Sequence, residues 1–451
     1  WGEIMINPRI TTERWYKGLT NKHWNVLIAS FMGWVFDGYE TYALIVVLGP
    51  ALGALLTADQ KSMHALWAGI AIGITLFGWG VGGLIGGVAA DYIGRKRMML
   101  ISMLSYALFS GLTAFSQSIE QLVVLRFLTG LALGSEWSTG IALIAETWPE
   151  RSRAKGAGFL QSGFGWGALL ASLLWLIVAY AQPLGANSWR LMFAFGTVPA
   201  LLALYVRRNL DESERWQQAV ANQEWAATES GQTRGADAGI DTRPFTLAEV
   251  FREPESRHRI LLASVLSMVT LIGWYGVAVL LPSYTVSLAK AQELANPASW
   301  GAYIGTLYTI GAVIAYLLSG FIIDAIGRRG FLWLTYIGSL ILAPITYGLV
   351  STATTMQFIA PINGFFTLGL AFTWMAIYTP ELFTSSVRST ATSFIFNAAR
   401  LIAAFFPIVA GSVIVALGGP ATTVMTISAV YILGLIVPFW MPETRGKGLP
   451  R

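Results

Sequence analysis

The stretch Gly87-Val-Ala-Ala-Asp91-Tyr-Ile-Gly94-Arg95-Lys96-Arg97 returns in its charged part as Asp324-Ala-Ile-Gly327-Arg328-Arg329, a step of 233 residues from 91 to 324. A second pair keeps nearly the same step. Pro149-Glu150 leading to Arg153 returns as Pro380-Glu381 leading to Arg388, 235 residues on from 153 to 388. Each copy is a short charged turn between long apolar runs. Two matches at almost one offset imply a duplicated chain, and such an internal repeat constrains the fold more than any single segment does.

The apolar runs say what solvent the repeats live in. Ile260 to Ala289 and Leu294 to Ile323 are 30 residues each without a charge, and Gly330 to Pro380 is 51. Charged residues are 12% of the chain and hydrophobic residues 55%, with a mean hydropathy of +0.59. A soluble chain carries about 25% charge, so a bilayer is the remaining solvent. A span needs about 20 apolar residues, and the continuous rather than alternating runs indicate helices, not a barrel. Twelve spans are expected, near 24–50, 65–90, 98–117, 121–147, 155–181, 190–207, 259–288, 300–324, 331–350, 355–379, 388–416 and 421–441. The fold class is an all-α membrane protein of two six-helix halves.

Lys and Arg set the orientation. With both termini inside, the cytoplasmic loops collect Arg9, Arg14, Lys17 and Lys22, then Arg95 to Arg97, Arg151 to Lys155, the central run from Arg207 to Arg259, Arg328 and Arg329, Arg388, and the tail from Arg445. The outer loops keep only Lys61, Arg190 and Lys290. The positive-inside rule therefore places both termini in the cytoplasm. The expected organisation is a cytoplasmic N-terminus (1–23), a first bundle (24–208), a cytoplasmic linker (209–258), a second bundle (259–441) and a cytoplasmic tail (442–451). The linker carries 10 of the chain's 24 acids. No cleavable signal peptide is visible, and a native start upstream of Trp1 is expected. A multi-pass protein of a bacterial inner membrane or plasma membrane follows, monomeric and without a nucleic-acid partner.

These motifs carry a resemblance. The Gly87 to Arg97 stretch is similar to the signature loop of the major facilitator superfamily, and Arg126-Phe-Leu-Thr-Gly130-Leu-Ala-Leu-Gly134 resembles its fourth-helix motif. Asp211-Glu-Ser-Glu-Arg215-Trp216 and Pro442-Glu443-Thr444-Arg445-Gly446-Lys447 resemble the markers that close its sixth and twelfth helices. Asp37-Gly38-Tyr39-Glu40 looks like the Asp-Gly-x-Asp signature of proton symporters for aromatic and other organic acids, with Glu40 standing where that signature has a second Asp. Gly134-Ser-Glu136-Trp137 and the run from Ala145 to Arg151 are similar to that group and to sialate and metabolite symporters. The resemblance implies alternating access, and a latch at Asp91, Arg95, Arg97, Asp324, Arg328 and Arg329 that stabilises the outward-open state.

Five ionisable residues fall deep within spans: Asp37, Glu40, Arg126, Glu136 and Arg400. Each costs on the order of 2.5–3.5 kcal/mol at mid-bilayer, so each must face protein or water. A proton-coupled carrier needs a carboxyl that titrates in its working range, and burial beside a second carboxylate provides one. Asp37, Glu40 and Glu136 are the proton-coupling candidates. Arg keeps its charge and pairs bidentately with carboxylates. Arg126 and Arg400, one from each half, are the expected clamp for an anion, with Asn397, Gln161, Trp274 and Tyr275 as further substrate contacts. A static alternative pairs these charges with one another.

The leading expectation is proton-coupled uptake of a small organic anion, a carboxylate, by alternating access. Passive transport of a neutral sugar or polyol is the alternative, and a drug/proton antiporter a weaker one, since Gly156 to Gly167 lack the prolines of exporters. No nucleophile, phosphate loop or metal cluster marks an enzyme. Cysteine is absent and three His (His23, His64, His258) leave little for a metal site. No cofactor is expected; the proton is the coupling ion.

Overall fold

The structure, a computed structural model, describes residues 14–222, 245–278, 280–405, 413–414 and 416–450. Arg9, Arg234, Arg243 and Arg451, the middle of the expected linker and part of the expected span 388–416 lie outside the described residues. Among the described residues there is no β-strand. The first half of the chain forms α1 (Asn21–Leu55), α2 (His64–Ile93), α3 (Arg95–Thr113), α4 (Ile119–Leu133), α5 (Glu136–Thr147), α6 (Glu150–Ala181), α7 (Arg190–Phe195) and α8 (Pro199–Asn209). Two short helices, α9 (Glu214–Ala221) and α10 (Thr246–Arg252), flank residues 223–244. The second half forms α11 (Pro254–Ala278), α12 (Leu281–Ala291), α13 (Pro297–Pro344), α14 (Ala353–Gly364), α15 (Ala371–Ile377), α16 (Arg388–Ala403), α17 (Pro420–Ser428) and α18 (Tyr431–Ile436).

Nine helical stretches among the described residues are long and apolar enough to cross a membrane. One of them, Ser299–Leu349, is two helices joined at Gly327, where the backbone leaves helical values at φ 80° and ψ 172°. The expected span 98–117 is α3, which opens on Arg95, Lys96 and Arg97. The expected span 121–147 breaks at Gly134 and Ser135 into α4 and α5, which makes Glu136 the first residue of α5.

Small residues set the helix spacing. On α2, a Cβ at Gly78 or Gly82 would run into the backbone of Phe127 or Leu131 of α4. In return, a Cβ at Gly130 of α4 would run into Thr75 of α2. Backbones this close pack by dispersion, which lipid cannot replace. Between the halves, α2 lies on α16 and α6 lies on α13. Both contacts run from the end of the molecule that carries the two repeated turns, here called the loop end, towards mid-depth.

Candidate functional site

A cavity of about 230 Å³ lies between the halves, beyond these contacts from the loop end. Helices α1, α2 and α6 supply one wall, and α11, α13 and α16 with residues 368–372 supply the other. Its lining is aromatic and aliphatic, and its one charged residue among the described residues is Arg400. Arg400 donates from Nη1 to the Phe396 carbonyl of its own helix at 2.7 Å. Its guanidinium lies over the Phe396 ring at 3.7 Å and over the Trp79 ring at 5.0 Å. No carboxylate among the described residues comes within 4 Å of it. Phe396 in turn stacks on Trp137 of the first half, with centroids 3.6 Å apart and planes at 15°. Trp137 donates from Nε1 to Gln161 Oε1 at 2.7 Å, and Gln161 lines the cavity. A cation, two stacked rings and an amide thus run in series from the second half into the first.

Behind the cavity wall, the first half buries the remaining charges among α1, α3, α4 and α5. Glu40 Oε2 pairs with Arg126 Nη1 at 3.1 Å, and Glu40 Oε1 accepts from Ser110 Oγ at 2.6 Å. The other arm of Arg126 donates to Thr113 Oγ1 at 3.0 Å and Thr129 Oγ1 at 2.9 Å, and the guanidinium stands 4.5 Å from the Phe193 ring centroid. This pair is matched almost atom for atom, as a buried ion pair must be to offset its desolvation. Asp37 and Glu136 are different. Both are buried, and both carboxylates lack a hydrogen-bond partner on either oxygen among the described residues.

At the loop end the halves are joined by buried polar contacts. Helix α16 starts after Val387, whose side chain offers no cap. Asp91 of the first half supplies it, accepting from the Thr390 backbone N–H at 2.8 Å and from Thr390 Oγ1 at 2.6 Å. An acid there satisfies an orphan donor and suits the helix dipole. Asp91 also pairs with Arg95 at 2.9 Å. Arg95 donates across to the Ser385 carbonyl at 2.8 Å. Glu146 Oε1 is shared by Arg95 at 3.2 Å and by Arg388 of the second half at 2.8 Å. The second turn crosses back through the Asp324–Lys155 pair.

Arg400, Gln161, Trp274 and Tyr275 are brought to one cavity, as their depth suggested. The expected two-arginine clamp is not formed. Arg126 is spent on Glu40 and does not line the cavity, because helical spacing gives depth in the membrane but not which way a residue faces. Asn397 also stands away from the cavity, donating to Ser393 and packing against Gly83 of α2. Of the six loop residues, Arg97 has no partner among the described residues and faces solvent. Arg328 and Arg329 bond within their own half, to Glu381 and to the Met441 carbonyl. Sequence reasoning gave no site role to Trp79 in the cavity lining, to Phe396 and Trp137 in the stack beside it, or to Ser110, Thr113 and Thr129 around Arg126. Only their three-dimensional convergence gives them a place at the site, Trp137 and Thr129 included, although these two stand in the quoted motifs.

A family model described as sugar (and other) transporter matches residues 25–450. A metabolite transport protein of Haemophilus influenzae is 30% identical over 96% of this chain and 100% of its own length. The cis,cis-muconate transport protein of Acinetobacter baylyi is 28% identical over 93% of this chain and 95% of its own. Among solved structures, a proton:xylose symporter of the major facilitator superfamily superposes with a TM-score of 0.73 at 20% identity, covering 95% of this chain and 98% of that one.

Proposed function

The chain belongs to the sugar (and other) transporter family within the major facilitator superfamily, and from that premise we propose that it takes up a small organic anion, a carboxylate, in symport with protons. It is a multi-pass cell-membrane transporter and not an enzyme. The observation that carries the proposal is Arg400. A fixed cation at the foot of an apolar cavity, with no carboxylate within 4 Å among the described residues, is costly to maintain unless an anion completes it. A neutral sugar needs no such charge.

The cycle follows from the charges. Twelve spans in two six-helix halves, with the loop end and both termini cytoplasmic, make the present arrangement outward-facing: closed inside by the Asp91, Arg95, Glu146 and Arg388 contacts, with the cavity above them. An anion docks its carboxylate on Arg400 and its body against Trp274, Phe164 and Tyr275. Arg400 attracts Asp37 from across the cavity wall. Once the anion neutralises Arg400, that attraction falls and a proton on the acids of the first half is favoured. The doubly loaded protein has fewer net buried charges, so the halves can rock and part the loop-end contacts. Arg126 serves by holding Glu40 until the rearrangement separates them.

The test is uptake of labelled benzoate into liposomes with an acidic exterior. The native chain should accumulate it, Asp37→Asn should abolish the pH-driven part while still folding, and Arg400→Gln should lose binding in a thermal-shift assay. Wild-type proton coupling in Asp37→Asn would overturn the assignment of Asp37.

A further inference from the structure

The acids of the first half come in two kinds. Glu40 is satisfied at both oxygens by Arg126 and Ser110. Asp37, 0% exposed, and Glu136, 2% exposed, are satisfied at none among the described residues. The two lie in one chamber. A Cβ added to Gly33, one turn before Asp37 on α1, would strike the Glu136 carboxylate, so that carboxylate is pressed against the helix that carries Asp37. Tyr106 of α3 lies beside Glu136 and Asp37, and its buried hydroxyl has no hydrogen-bond partner among the described residues. The charged groups that face Asp37 are Glu136 of α5, Glu40 of α1 and Arg400 of α16. Neither Asp37 nor Glu136 has a Lys, Arg or His within 4 Å among the described residues, and Arg126 is taken by Glu40.

Two ionised carboxylates cannot share such a chamber. Each lacks the hydrogen bonds a buried charge needs, and like charges at close quarters hold on to one proton between them. Resting on the uptake reading above, we infer that Asp37 and Glu136 form a proton site separate from the Glu40–Arg126 pair: they hold one proton between them before the anion binds, take a second when it does and release both on the inner side, so that the carrier brings in two protons with each anion.

The charge balance makes this measurable. One proton with one monoanion moves no net charge. Two protons with one monoanion move one positive charge inwards, and an inside-negative potential then drives uptake. At equilibrium about 100 mV multiplies accumulation roughly fiftyfold for one charge moved.

The experiment uses the full chain in liposomes at equal pH on both sides, with benzoate as probe and a potassium gradient with valinomycin to set the potential. The native protein should accumulate benzoate when the interior is made negative, and should take up two protons per benzoate with a pH-sensitive dye inside. Glu136→Gln should be insensitive to potential, whatever rate remains to it. Should that variant not fold, the proton count on the native protein decides. Native uptake that follows a pH gradient but ignores the potential, or a count of one, would overturn the inference and leave the uptake reading standing. A Glu136→Gln protein that still answers to potential would overturn the role of Glu136. No benzoate uptake under any gradient would instead overturn the uptake reading itself.

Discussion

The turn at Asp91 to Arg95 and the turn at Asp324 to Arg328 share a backbone and divide on what their acids hold. In both, a glycine adopts a conformation that is essentially reserved for it, Gly94 at φ 101° and ψ 155° and Gly327 at φ 80° and ψ 172°. In both, a glutamate from a distant segment caps the helix that follows. Glu212 accepts from the backbone N–H groups of Arg95 at 2.9 Å and Lys96 at 3.1 Å. Glu443 accepts from those of Arg328 at 3.0 Å and Arg329 at 3.1 Å. The acids then diverge. Asp91 and Arg95 have side chains 0% exposed, and Asp91 bonds to the far half. Asp324 is 29% exposed and, among the described residues, reaches the far half only through Lys155, whose side chain is 12% exposed. A duplicated sequence has therefore kept its local geometry twice, while burial has concentrated the joining of the halves at one copy.

That division can be broken most sharply at Asp91. The chain has no cysteine, so a single Ser389→Cys, buried beneath the first turn, reports opening of the loop end by its rate of maleimide labelling. Hydrogen bonds to a buried charge are worth about 1.5–3 kcal/mol, so Asp91→Asn should speed labelling roughly ten- to hundredfold. Asp324→Asn breaks a partly exposed pair worth about 0–1 kcal/mol, and should change the rate less than about fivefold. Equal effects would dissolve the asymmetry.

The shared backbone makes the opposite forecast. Gly94→Ala and Gly327→Ala should each cost about 1–3 kcal/mol and lower Tm by similar amounts, since a Cβ at either site would also meet its capping glutamate. A clear difference between them would show that the turns are less alike than their dihedral angles.

The smallest effect concerns Glu443. Burial would push its carboxyl up, but the backbone N–H groups of Arg328, Arg329 and Arg445, with the Arg328 charge, hold it below its ordinary value of 4.5. A carboxyl lowered in the folded state stabilises fully above the unfolded value, and that contribution is lost as pH falls through the folded one. Thermal stability of Glu443→Gln should accordingly be slightly lower than native above pH 4.5 and converge with it on acidification.

The repeat was legible because charged turns stand out against apolar runs, and the depth of the five buried charges followed from counting residues along helices. Their partners were not legible. Asp37 and Glu40 sit one turn apart on α1, yet Glu40 meets Arg126 and Asp37 does not. Which acid faced which helix depended on glycines such as Gly33, which make room for Glu136, and on the break at Gly134 and Ser135 that sets Glu136 at the start of α5. No periodicity in the sequence encodes that rotation. The shared use of Glu146 by Arg95 and Arg388 was equally hidden, since the two cations are nearly three hundred residues apart (95 and 388).

The stack of Arg400, Phe396 and Trp137 has one more consequence. Indole emission responds to the charge and ring laid against it, and here the neighbouring ring belongs to the opposite half and bears the guanidinium on its other face. Trp137 is one of 18 tryptophans, so the difference in emission between the native protein and Trp137→Phe is what gauges whether the floor beneath the cargo is whole or split.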